Sequence, residues 1–106
     1  MTRLEQLQAF IVESPNDAFL HYAVAQEYKS QGDKEKALEK YQYLIENHPN
    51  YVATYYHLGK LYIELGQKET ALSCFETGII KAKECGEQHS LSELQSAKLE
   101  LEYDED

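Results

Sequence analysis

The chain repeats itself every 34 residues. Pro15-Asn16 recurs as Pro49-Asn50, and Tyr22, Tyr28, Gly32, Lys34, Glu35, Ala37, Leu38 and Ile45 recur as Tyr56, Tyr62, Gly66, Lys68, Glu69, Ala71, Leu72 and Ile79. A period of 34 with small residues, glycines and aromatics in fixed slots marks a solenoid of stacked helix pairs. The fold class this predicts is all-α, a right-handed superhelical α-solenoid of antiparallel pairs with about six helices. Folds of this kind usually bind other proteins and rarely do chemistry.

Punctuation in the sequence sets the helix limits. The first helix is predicted over Arg3 to Glu13, with Thr2 and Glu5 forming a capping box and Leu4, Leu7, Phe10 and Ile11 forming its apolar face. Pro15 ends it, because a proline disfavours helix at the residue before it. The second helix runs from about Asp17 to Gln31, with Leu20, Val24, Ala25 and Tyr28 on one stripe, and Gly32 is its left-handed stop. Asp33 caps the third, Lys34 to Asn47, whose core face is Ala37, Leu38, Tyr41, Leu44 and Ile45. The fourth, about Tyr51 to Leu65, repeats the second with Tyr55, Leu58, Gly59 and Tyr62, and Gly66 ends it. The fifth runs longer than its counterpart, Lys68 to Cys85, because Lys83 stands where a proline would break it, which leaves Gly86 as the stop. A sixth helix is predicted from about Leu91 to Leu101, opened by a Ser90–Glu93 capping box and covering the last repeat with Leu91, Leu94, Ala97 or Lys98, and Leu101.

These residues resemble the tetratricopeptide repeat, a 34-residue pair of antiparallel helices. The family pattern is aromatic-x-x-Leu-Gly-x-x-Tyr on the first helix, Ala-x-x-x-aromatic on the second, then Pro. The second repeat reads Tyr55-x-x-Leu58-Gly59-x-x-Tyr62, then Ala71-x-x-x-Phe75. The first reads His21-x-x-Val24-Ala25-x-x-Tyr28, then Ala37-x-x-x-Tyr41, then Pro49. The opening helix resembles the second half of a preceding repeat, with Leu7 and Pro15 in the matching slots and Arg3 departing from the expected alanine. The resemblance implies one domain over 1–106: a half repeat (3–15), two repeats (17–50 and 51–85), a capping helix (90–102) and an acidic tail (103–106). The small slots at Ala25, Gly59, Ala37 and Ala71 are expected where helices approach most closely.

Charge narrows the partner classes. Ten basic and nineteen acidic residues give a net charge of -9, and the second half is the more acidic. Such a field repels phosphate backbones and anionic bilayers, so nucleic acid and membrane are excluded as expected partners. No apolar run approaches the ~20 residues that span a bilayer, and the first residues lack an apolar signal core. Cys74 and Cys85, eleven residues apart on one helix, are separated by roughly 16 Å at about 1.5 Å per residue, too far for a disulfide. Reduced thiols fit a reducing compartment, and a cytoplasmic location is expected.

No cofactor, metal or catalytic site is expected. His21, His48, His57 and His89 form no ligand pair at metal spacing, and His21 occupies an aromatic core slot as a packed, hydrogen-bonded imidazole. Cys74 lies beside a core slot as a small apolar filler. Gly59 and Gly66 are a packing slot and a helix stop, not a phosphate loop.

The expected site follows from the family resemblance, which implies contact along the inner face of the first helix of each pair. Those positions are Phe19, Tyr22, Gln26 and Lys29, then Ala53, Tyr56, His57, Lys60, Ile63 and Glu64. Aromatics beside adaptable polar groups suit an extended peptide or a partner helix. Tyr22 and Tyr56 have a second reading, as supports of the helix interface. The Lys/Asn/Arg clamp by which one subfamily grips chaperone carboxylates is largely missing, since Tyr22, Gln26 and His57 stand in its slots. Two functions therefore compete: a module that binds another protein's peptide or helix, and an assembly subunit that forms a homodimer through apolar ends (Leu4, Leu7 and Ile11 at one, Leu94 and Leu101 at the other).

Overall fold

A computed structural model describes residues 1–104 as six helices, with no strand among them. They fall into two compact units that divide between His48 and Pro49. The first unit contains α1 (Arg3–Glu13), α2 (Ala18–Ser30) and α3 (Lys34–Asn47); the second contains α4 (Ala53–Glu64), α5 (Lys68–Cys85) and α6 (Gln88–Tyr103). Glu105 and Asp106 of the expected acidic tail lie outside the described residues.

In the first unit, Thr2 Oγ1 accepts from the Glu5 amide at 3.1 Å while Glu5 Oε1 accepts from the Thr2 amide at 2.9 Å, which closes the capping box. α1 packs Leu7 against Ala23 and Val24 of α2, with Leu4, Ile11, Leu20 and Tyr28 around them. Phe10 departs from expectation and stands 56 % exposed. At about 100° per residue it lies roughly 90° from the middle of the Leu4–Leu7–Ile11 stripe, so it falls off the buried face. Asp33 Oδ1 caps α3 by accepting from the Lys36 amide at 3.1 Å. Across the α2–α3 pair the buried Tyr41 hydroxyl donates to Gln26 Oε1. Ala25, Ala37 and Leu44 are fully buried beside it.

In the second unit the small slots are filled to contact. A Cβ on Gly59 would stand 2.3 Å from Phe75 Cε1, and one on Gly78 would stand 2.6 Å from Tyr55 Cβ. α4 and α5 meet at the first of these slots, and α5 packs against both α4 and α6 at the second, where the Leu94 methyls also approach Gly78. α5 ends at Gly86, which takes the left-handed φ of 69° that a side chain would disfavour. α6 begins earlier than expected, with Glu87 as its N-cap. Ser90 is inside the first turn and its hydroxyl donates to Glu87 Oε1 at 3.4 Å, so the Ser90–Glu93 capping box does not form. The Leu91 amide already bonds the Glu87 carbonyl at 2.9 Å, because the chain re-enters helix immediately after Gly86. α6 buries Leu94, Ala97 and Leu101, and Lys68 Nζ donates to the Asp104 carbonyl at its end. Leu7, Leu94 and Leu101, expected as exposed apolar ends, are therefore core residues; Phe10, Val12, Leu99 and Tyr103 are the exposed ones.

Candidate protein-binding site

Each unit carries a shallow cleft built on the first helix of a pair. In the first unit, Phe19, Tyr22, Ala23, Gln26, Glu27 and Ser30 of α2 form its floor, with Arg3 of α1 on its rim. Phe19 is held at the start of α2 by Asp17, whose Oδ1 caps the Phe19 amide at 3.0 Å. Phe19 is 55 % exposed, so its apolar surface is open to a partner. Gln26 is anchored from below by Tyr41, which leaves its amide hydrogens as the donors it can offer outward. Arg3 Nε sits 3.7 Å from Glu27 Oε1 and ties the rim to the floor. Lys29 is half-buried on the same helix but does not line the cleft.

In the second unit, Tyr56 and Lys60 of α4 face His89, Ser92, Glu93, Ser96, Ala97 and Glu100 of α6 across a cleft of about 290 Å³. Tyr56 packs at the helix interface and also lines the cleft. Its ring lies 6.5 Å from the buried Phe75 ring and 5.2 Å edge-on from His57, while Lys60 Nζ stands 5.5 Å over it. One part of the tyrosine is thus support and another part is cleft wall. His89 Nε2 is 3.4 Å from Glu93 Oε2 on the opposite wall. Ala53, His57, Ile63 and Glu64 share α4 with these residues but are outside the cleft lining.

The α6 wall was not in the sequence-derived set. Its signal was present at a shifted register: adding 36, not 34, to Ala53, Tyr56, His57, Lys60 and Glu64 gives His89, Ser92, Glu93, Ser96 and Glu100. The same addition to Leu58 and Leu61 gives the buried Leu94 and Ala97. Polar substitutions in the aromatic and glycine slots hide this match.

The histidine expected in the core is there. His21 is 4 % exposed, with Nε2 2.7 Å from the Pro15 carbonyl and Nδ1 3.0 Å from Lys40 Nζ. Both cysteines are unpaired. Burial pushes the Cys74 thiol up to about 11, so it stays protonated and unreactive at neutral pH. Among the described residues no group of three His, Cys, Asp or Glu side chains is arranged to hold a metal, and no helix is long and apolar enough to cross a membrane.

Helix pairs in a 34-residue register, small residues at their crossings and open clefts on the first helix of each pair define a helical-repeat interaction module. The comparisons give the family. A family model described as TPR repeat matches residues 25–66. The crystal structure of a tetratricopeptide repeat domain protein from Salinibacter ruber is 46% identical, with 84% of this chain and 99% of that one covered and a TM-score of 0.81. A solution structure of a Salinibacter ruber tetratricopeptide repeat domain protein, also 46% identical, covers 86% of this chain and 92% of that one with a TM-score of 0.83. The TPR2B domain of yeast Sti1, solved as a pHsp70 complex, shares the fold at 19% identity, with 96% and 82% covered and a TM-score of 0.86. A search of the curated proteins found no match. The chain belongs to the tetratricopeptide-repeat family. Domains of this family generally act as protein-interaction modules and are typically non-catalytic.

Proposed function

We propose that this protein holds a peptide or helix of another protein on the inner faces of α2 and α4, through Phe19, Tyr22, Gln26 and Lys29 on the first and Ala53, Tyr56, His57, Lys60, Ile63 and Glu64 on the second. The observation that carries the reading is the exposed Phe19 beside Tyr22 and Gln26, matched one period later by Tyr56 under the Lys60 ammonium. Tyrosine and phenylalanine supply contact area at low entropic cost, and the glutamine and lysine supply adaptable polar contacts. The α6 wall extends the second surface with His89, Ser92 and Glu93. The Sti1 domain, with its pHsp70 partner, is a precedent for the fold in this role. A cytoplasmic setting fits the two unpaired thiols.

The test is capture from native lysate by the wild type beside a Tyr22→Ala, Tyr56→Ala, Lys60→Glu variant with an unchanged helical spectrum. A partner retained by the wild type and lost by the variant supports the reading. Equal capture by both contradicts it. Capture of the protein itself alone favours a homodimer, for which Phe10 and Val12 on α1 and Leu99 and Tyr103 on α6 are exposed.

A further inference from the structure

The first unit carries a second cleft, away from the inner-face residues, between α2 and α3. Tyr28, Lys36, Glu39, Lys40 and Tyr43 line it, and its volume is about 310 Å³. Two lysines one helical turn apart each lie over a tyrosine: Lys36 Nζ is 5.7 Å from the Tyr28 ring centre and Lys40 Nζ 5.1 Å from that of Tyr43. Among the described residues neither lysine is in an ion pair with a carboxylate.

The two lysines differ. Lys36 is exposed. Lys40 is half-buried, and burial holds its pKa below the ordinary lysine value. Its Nζ lies 3.0 Å from His21 Nδ1. The other nitrogen of that ring faces the Pro15 carbonyl at 2.7 Å. A carbonyl only accepts, so Nε2 carries the hydrogen and Nδ1 presents its lone pair to Lys40. His21 is further fixed by ring contacts to Tyr43 at 4.6 Å and His48 at 6.4 Å. The charged and titratable groups around Lys40 are thus His21 and Tyr28 from α2, with Lys36, Glu39 and Tyr43 from α3, while the C-cap residue His48 packs behind on His21 and Tyr43.

An amine becomes a nucleophile when it loses its proton, and an adjacent base held by a third group is the usual means of activation. Lys40, His21 and the Pro15 carbonyl have that arrangement. Lys36 supplies a cation on the same lining, suited to a phosphate leaving group. We propose that Lys40 is an acyl-acceptor site that takes an acyl group from a small acyl phosphate. The amine pair of Lys40 forms a C–N bond to the acyl carbon. The bond from that carbon to the phosphate oxygen breaks, and its electron pair leaves with phosphate. The proton lost from nitrogen passes to His21 Nδ1 and then to the departing phosphate. The products are Nε-acyl-Lys40 and inorganic phosphate, and the change removes the charge over Tyr43.

The test uses the full chain with acetyl phosphate at mildly alkaline pH and follows each lysine by peptide mass spectrometry. Lys40 is expected to acetylate several times faster than Lys83, which is exposed near the end of α5. A folded His21→Gln variant should lower the Lys40 rate to that of Lys83, and Lys36→Gln should slow Lys40 without changing Lys83. With uncharged p-nitrophenyl acetate the lead of Lys40 should persist and the Lys36→Gln effect should vanish. Acetylation of Lys40 no faster than Lys83 in the wild type overturns the proposal. An equal Lys36→Gln effect with both reagents overturns the assignment of Lys36 to the phosphate.

Discussion

Tyr55 Oη donates to the carbonyl oxygen of Pro49 over 2.7 Å. One period earlier, His21 Nε2 meets the Pro15 carbonyl over the same 2.7 Å. In each case the side chain six residues after the proline ties the entry loop to the helix it opens. Burial raises the Tyr55 pKa, so the phenol keeps its proton and its donor role. Tyr55→Phe removes the bond and keeps the ring, and should cost about 1 kcal/mol. A thermal melt should show a drop of roughly 4–8 °C for a unit of this size. An unchanged melt would mean that the loop is held by something else.

Gly59 and Phe75 form the tightest crossing in the second unit. A methyl group on residue 59 would meet the fully buried Phe75 ring at 2.3 Å. Gly59→Ala should therefore destabilise by about 1–3 kcal/mol, despite the better helix propensity of alanine. The double variant Gly59→Ala, Phe75→Leu should recover part of that loss. Urea denaturation of the two variants and the wild type measures both.

Two local defects offer stabilising changes. Thr54 Oγ1 is buried with no hydrogen-bond partner. Thr54→Val keeps the shape and removes the unpaired hydroxyl, and should leave stability unchanged or raise it by up to about 1 kcal/mol. Gln67 opens α5 without a side-chain cap, whereas Asp33, one period earlier, caps α3. Gln67→Asp should gain about 0.5–1 kcal/mol, read as a higher melting temperature.

The half-buried Cys74 makes stability fall at high pH. Its thiol holds its proton to about 11 in the folded chain, against about 8.5 when unfolded. Its contribution is therefore complete below about pH 8.5 and declines as pH rises toward 11. Tyr55, also raised, acts with the same sign, and Lys40, lowered, acts with the opposite one. Both remain in a Cys74→Ala variant. The difference in melting temperature between wild type and that variant should shrink as pH rises through this window. A constant difference would mean that the thiol titrates alike in the folded and unfolded chains.

Most of the helix limits were legible because prolines and glycines set them. Asp33 and Gly32 mark the α2–α3 turn, and Gly86 ends α5 where the missing proline slot predicted a longer helix. The buried slots at Ala25, Tyr41, Gly59 and Phe75 were legible for the same reason, since only certain volumes fit a helix crossing. The start of α6 was not legible. A serine three residues before a glutamate looks like a cap, but the chain had already turned back into helix after Gly86. The α6 wall of the second cleft was hidden by a two-residue change of register. Phe10 looked apolar enough for the core, yet its angular position on α1 leaves it in solvent.

The most direct test of the account places a photo-crosslinking amino acid at position 22 or 56, on the inner faces, and at position 42 or 76, which are exposed on α3 and α5. Illumination in native lysate should give the same partner adduct from positions 22 and 56 and none from 42 and 76. Adducts formed only from 42 or 76 would contradict the assignment of partner binding to the inner faces of α2 and α4.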